Sequence, residues 1–422
     1  MMGSVMGSRG RRTGLAAALT VMVAFLGACS TTNEPAAPSE RAEAAPPPKP
    51  AEAPPPSTLE LGTGQSEQEP VVITVPEGPP KVALLVPLTG RAAEVGKALR
   101  NAAELALFDI ADDRFTLAFY DTASSPQTAE QVARNAIAEG ADLIVGPLFS
   151  ESAKAVGPVA RAAGVPVLAF SNDRSAAGDG VWILGLLPAE QVERVIRYAA
   201  ANGFGRIGVL APSNAYGFAV TDAARQSAAR AGASITRVHS YTPGGSSLTE
   251  TVQSFAAGSG ETFPYDAVLV PEGGQSILNV APLMAYYDID PNQVKYLGTA
   301  LWADAALSRE PTLVNGWFAA PDPAVRKGFV DRYRGVYGSA PHGLASLSYD
   351  AVGLAAVLAR QPADDHFAID NLIQPSGFNG ADGLFRLLTD GTNQRGLAVL
   401  RLTERGFEAI DPAPRSFSPA IN

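Results

Sequence analysis

Cys29 is the single cysteine among 422 residues, so neither a disulfide nor a pair of thiolate ligands is open to the chain. His239, His342 and His366 lie far apart, and none belongs to an HExxH run that would put two imidazoles on one helix face. No GxxxxGK[ST] loop cradles a phosphate, and no GxGxxG follows a first strand. Two carboxylates are better placed. Asp121 and Glu272 each follow an apolar strand and can reach a shared crevice. Acid–base work on a glycosidic bond requires two carboxyls at a defined separation, whereas a lone carboxylate after a strand also suits a turn cap. The chain is therefore read as non-enzymatic, with no catalytic residue, no metal and no cofactor.

Recognition is the better reading of the polar loops. Thr89, Asp121, Ser150, Ser171 and Asn172 follow the strands of one series, and Asn214, Tyr216, Glu272 and Trp302 follow those of a second. Short hydroxyl and amide side chains at such points suit a small polar ligand, and each equally suits a local cap or turn.

These residues depend on alternating elements. Lys81–Leu88, Phe115–Tyr120, Ala141–Val145 and Val165–Phe170 are near-continuous apolar runs, separated by helical stretches. That alternation predicts a parallel sheet covered on both faces, with loops at the carboxyl edge as the ligand side. Val95, Leu99, Ala102 and Ala106 share a face of the first helix. Ser125-Pro126 predicts a capped second helix carrying Val132, Ala136 and Ile137 inward, and Ser150 a cap for a third.

A second series runs from Pro188 through strands at Arg206–Leu210, Ser234–His239, Tyr265–Val270 and Val294–Leu297. A strand at Asn315–Ala319 precedes helices over about 324–335 and 343–359, the first with Val325, Phe329 and Tyr333 on its inner face. Short strands at Leu384–Leu388 and Leu397–Leu402 follow, and residues 403–422 are expected to fray.

Arg9, Arg11 and Arg12 precede the apolar stretch Leu15–Leu26, which is short for a membrane span and reads as an export segment. Small residues Gly27-Ala28 then precede Cys29, an arrangement that resembles a bacterial lipoprotein signal. The resemblance implies cleavage after residue 28 and lipidation of Cys29, and Ser30 is similar to the outer-membrane sorting pattern. Residues 31–57 contain nine Pro and seven Ala. Such a stretch cannot bury enough apolar surface to fold; extended, it reaches roughly 80 Å at about 3.1 Å per residue. Val71–Val75 is a candidate edge strand. About 340 residues remain, enough for two lobes. A net charge of −10 argues against a nucleic-acid partner.

The runs Val82–Gly90, Ala141–Leu148 and Val165–Asn172 together resemble the type I periplasmic-binding-protein fold, a two-lobed α/β architecture. With the cysteine signal and proline-rich tether, the chain is similar to the penicillin-binding-protein activator family. The resemblance implies residues 1–28 as signal, 29–80 as lipidated cysteine and tether, and 411–422 as a tail. It places 81–186 with 316–366 in the first lobe and 187–315 with 367–410 in the second. It further implies an outer-membrane lipoprotein facing the periplasm that regulates peptidoglycan synthesis by contacting a synthase. A receptor for an amino acid or other small polar solute is the alternative. In longer members of that family a helical-repeat domain precedes this one, and the resemblance here covers only the binding-protein-like part, about residues 81–410.

Overall fold

A computed structural model describes residues 78–109, 115–257, 263–361 and 365–417. The expected export segment, Cys29, the proline-rich tether and the strand expected at Val71–Val75 lie outside the described residues.

In the first lobe β1 (Lys81–Val86), α1 (Ala93–Asp109), β2 (Thr116–Asp121), α2 (Pro126–Ala138), β3 (Leu143–Val145), α3 (Ser150–Ala162), β4 (Val167–Ala169) and β5 (Val181–Ile183) alternate. All five strands are parallel, in the order β2-β1-β3-β4-β5. Parallel strands must be covered on both sides, which accounts for β1 being buried along almost its whole length. Leu99, Ala103 and Ala106 of α1 cover one face, and alanines of α2 and α3 the other. On α2 the fully buried positions are Ala129, Ala133 and Ala136; Val132 and Ile137 flank them. Ser125 caps α2 as expected, its hydroxyl accepting from the Thr128 amide.

The second lobe contains α4 (Pro188–Ala201), β6 (Arg206–Pro212), α5 (Ala215–Ala231), β7 (Ser234–Tyr241), α6 (Leu248–Ala256), β8 (Ala267–Leu269), α7 (Gly274–Tyr286), β9 (Lys295–Gly298) and β10 (Trp317–Ala320). The chain then forms α8 (Pro323–Tyr337), α9 (Ala345–Ala359), the single turn α10 (Ile369–Leu372), β11 (Phe378–Gly380), β12 (Gly383–Leu387), β13 (Asn393–Arg395), β14 (Ala398–Thr403) and β15 (Gly406–Asp411). The second sheet runs β15-β14-β10-β9-β8-β6-β7. Its parallel part ends at β10, and β14 and β15 extend it antiparallel.

Three boundaries move from the sequence reading. Residues 317–320 belong to the second sheet, because Trp317 and Phe318 pair with β9, so the chain crosses to the first lobe only after β10. Residues 378–395 form a separate three-stranded sheet whose Phe385 and Leu387 join the first lobe's core, not the second lobe. Residues 406–411 pair with β14 and do not fray. Val325 is also not inward: it is 48% exposed, while Phe329 and Tyr333 pack with α1.

The small sheet carries the polar core of the crossing region. The Arg395 guanidinium donates to the Leu184 carbonyl at 2.9 and 3.2 Å, lies 5.1 Å from the centre of the Phe385 ring, and reaches Asp350 of α9 at 3.4 Å. Asp350 also accepts from the Ala381 amide, and Asn393 donates to the carbonyls of Ile183 and Gly185. Burial pushes the Asp350 carboxyl up, and the Arg395 charge draws it back down. Removing one member of a buried pair strands the other's charge. Asp350→Ala is therefore expected to cost about 3–5 kcal/mol in denaturant unfolding, whereas Arg332→Ala at the exposed Asp109 pair should leave the unfolding midpoint nearly unchanged. Equal effects of the two substitutions would contradict this assignment.

Candidate functional site

The carboxyl edge of the first sheet is assembled by Asp121. Its Oδ1 accepts from the amides of Leu88, Thr89 and Ala123, and its Oδ2 accepts from the Thr89 hydroxyl at 2.7 Å. The loops after β1 and β2 are thereby tied together. Burial works to raise this carboxyl, but the Thr89 hydroxyl and the three amides outweigh it and hold it below the ordinary carboxylate value. Asp121 and Thr89 thus satisfy each other.

The loop after β3 makes a sharp turn. Gly146 has φ +91°, and a Cβ there would strike the Leu85 carbonyl, so glycine is required. The turn delivers Phe149 to the cap position of α3, where no side chain bonds the free amides. Ser150 is the first residue of the helix and not its cap, which corrects the expectation for it. The Ser152 hydroxyl is buried without a hydrogen-bond partner in the same first turn. The Arg91 guanidinium stacks on the ring of the cap residue Phe149 at 4.7 Å, and Arg91 has no carboxylate partner among the described residues. Free amides, the positive end of a helix, the unpartnered Ser152 hydroxyl and an unpaired guanidinium suit a carboxylate.

Ser171 is buried, its Oγ accepting from the Asp173 amide, while Asn172 is exposed. Asp173 caps the turn that follows, accepting from the amide and hydroxyl of Ser175. Burial works to raise Asp173; Ser175, Lys154 and Ser150 more than offset this and keep it low.

At the second lobe's edge, Asn214 caps α5 by accepting from the Gly217 amide. Tyr216 donates to the Thr299 hydroxyl, and burial pushes its phenol up to about 12. Glu272 accepts from the Tyr241 hydroxyl at 2.8 Å; burial raises it, and the Tyr241 and Gly273 donors only partly offset that. Gln191 fastens this edge to the crossing strand, donating to the Leu186 carbonyl and accepting from the Ala300 amide. Trp302 leaves the expected set. It is 0% exposed in the second lobe's core, because Gly298 and Gly316 offer no Cβ and the indole fills the slot they leave. Its neighbour Leu301 is exposed instead, as is Phe218 in the first turn of α5.

The structure therefore gathers Thr89, Asp121, Ser150, Ser171 and Asn172 along one sheet edge and Asn214, Tyr216 and Glu272 along the other. Asp121 and Glu272 each bond within their own lobe. Arg91, Phe149, Ser152, Phe218 and Leu301 were not singled out from the sequence. Arg91 directly follows Thr89-Gly90, the one local signal available for it. No cluster of three metal-ligating side chains occurs among the described residues.

The model of the periplasmic binding protein family matches residues 79–406, and the chain belongs to that family. The fold is shared with a branched-chain amino acid ABC transporter periplasmic ligand-binding protein from Burkholderia xenovorans. There the TM-score is 0.66 at 16% identity, covering 81% of this chain and 96% of that one. It is shared also with a leucine binding protein from Thermotoga maritima, with TM-score 0.60 and 19% identity, covering 79% and 98%. The penicillin-binding protein activator LpoA of Vibrio cholerae is 28% identical over 183 residues, 40% of this chain and 30% of that protein. The chain thus spans about a third of the length of that curated relative.

Asp121→Ala frees three amides and a hydroxyl at the first edge and is expected to lower stability by about 1–2 kcal/mol at pH 7. Because the folded carboxyl titrates low, its contribution is present above the unfolded value and fades as pH falls through the folded one. The wild-type and variant denaturation midpoints should draw together as pH falls below the ordinary carboxylate range. A constant difference down to pH 2 would contradict the role given to Asp121.

Proposed function

We propose that the chain is a non-catalytic, extracytoplasmic binding protein that holds a small carboxylate-bearing solute between its two lobes. The observation that carries this reading is the first turn of α3, whose amides have no side-chain cap and whose cap residue Phe149 carries the unpaired Arg91 guanidinium stacked on its ring. A solute carboxylate placed there gains charge-assisted hydrogen bonds, while Tyr216, Glu272 and the exposed Leu301 and Phe218 offer polar and apolar surface from the second lobe. A ligand touching both edges favours the closed arrangement, because it gains contacts there that the open one lacks. Membership of the periplasmic binding protein family supports the same reading.

A second reading rests on the similarity to LpoA. In it the lobes present a surface to a peptidoglycan synthase, and a lipid on Cys29 together with the proline-rich stretch carries the domain from the outer membrane into the periplasm. The two readings are compatible if solute binding tunes the protein contact.

Thermal denaturation against a panel of small carboxylic acids, amino acids and aromatic acids included, tests the first reading. At least one compound should raise the midpoint, with the shift growing with concentration. Arg91→Ala should weaken its affinity about tenfold with little change in the unliganded midpoint. A panel without any shift, or a ligand indifferent to Arg91, would sink the proposal. Addition of the chain to a purified synthase tests the second, where unchanged synthase activity counts against it.

A further inference from the structure

A cavity of about 390 Å³ lies away from the carboxyl edges, between α4, the end of β13 and the segment following β15. Glu190, Glu193, Arg197, Gln394, Asp411 and Phe417 are among the residues that line it. Glu190 is enclosed by protein on most sides, and the surface it retains belongs to the cavity wall. One of its oxygens accepts from the Arg395 amide at 3.0 Å; the other has no partner among the described residues.

The charges around this cavity are unevenly committed. Arg194 is spent on the Leu397, Asp411 and Pro412 carbonyls and on the Asp411 carboxylate. Arg395 is spent on Leu184 and Asp350. Arg386 bonds Gln394 and the Pro375 carbonyl and stacks on Phe417. The carboxyls of Glu190, Glu193 and Asp411, by contrast, each use a single oxygen, toward Arg395, Arg230 and Arg194 respectively. What the cavity has to spare is acceptors. Arg197, exposed at the rim, is the one guanidinium there without a partner among the described residues.

We propose that this cavity is a second ligand site, selective for a small organic ammonium whose N–H groups bond the spare oxygen of Glu190 and those of its acidic neighbours. The aromatic wall of Phe417 suits the alkyl part of such an amine. A site at the junction of α4 with the strand that crosses between lobes is placed to couple amine binding to lobe arrangement.

Protonation sets how the site responds to pH. Burial pushes Glu190 up to about 8; the Arg395 amide and charge lower it, Glu193 on its own helix raises it, and Arg386 lowers it. Arg194 and Asp411 face the same cavity as a neutralised pair. An ammonium pairs with the ionised carboxylate, whose population falls about tenfold per pH unit below its pKa. Amine affinity should therefore rise between pH 6 and about 8 and level off above it.

Calorimetric titration of putrescine and of ethanolamine into the purified chain at pH 6, 7 and 8 tests the proposal, with acetate titrated into the Arg91→Ala variant as the anionic control so that the site between the lobes does not take it up. Both amines should bind and acetate should not, with affinity rising on the order of a hundredfold from pH 6 to pH 8. Glu190→Gln keeps an acceptor for the Arg395 amide and should lose at least tenfold in amine affinity at pH 8 together with the pH slope. Arg197→Glu, at an exposed position that leaves the fold undisturbed, should strengthen amine binding severalfold. Arg91→Ala should leave amine binding unchanged, which separates this site from the one between the lobes. No binding of either amine at millimolar concentration and pH 8, preference for acetate, or a Glu190→Gln variant with wild-type affinity and slope would overturn the proposal.

Discussion

The contact between Arg395 and Asp350 is the constraint around which the two lobes are arranged. Both side chains are almost wholly removed from solvent, in a region where three segments of chain pass between the sheets. An isolated ion is costly to bury, so the pair persists only because each partner is further bonded, Arg395 to the Leu184 carbonyl and Asp350 to the Ala381 amide. Those bonds fix the strand leaving the first lobe, helix α9 and the small sheet in one register. Asn393, bonded to the carbonyls of Ile183 and Gly185, and Trp182, bonded to the Leu388 carbonyl, repeat the tie along the same strand. A purely apolar contact would bury as much surface but would not select one alignment of these segments.

With the crossing fixed, the sheets can turn their carboxyl edges to a common use. The residues on those edges are mostly occupied in holding their own loops: Asp121 joins two turns, Asn214 caps a helix, and Glu272 bonds Tyr241. The ligand chemistry left over is concentrated where a helix begins without a cap. This division is physically sensible, since loops that must present amides and charges accurately have to be rigid before a ligand arrives. It also explains why a side chain such as Trp302, large and placed just after a strand, belongs to the support and not to the binding surface.

The parallel sheets were legible because their strands are buried on both faces, so Val82–Val86 and Ile207–Leu210 read as unbroken apolar runs. The Ser125-Pro126 helix start was legible for the local reason that cap and first turn are adjacent in sequence. Other features had no local signature. Strand β5 is three residues long, too short for its period to stand out, and β15 is defined by its partner β14 more than by its own half-exposed side chains. Asp350 and Arg395 lie 45 residues apart, and nothing near either announces the other. The same applies to Arg91, whose meaning comes from Phe149, brought beside it by the pairing of β1 with β3.

Backbone hydrogen exchange of the chain, with and without a pool of small carboxylates, addresses the two-edged binding surface most directly. If a solute is held between the lobes, amides at residues 150–153 and at 299–301 should slow together on adding the pool, because one ligand touches both edges. Unchanged exchange at both segments, or slowing on a single lobe, would contradict a ligand bridging the cleft.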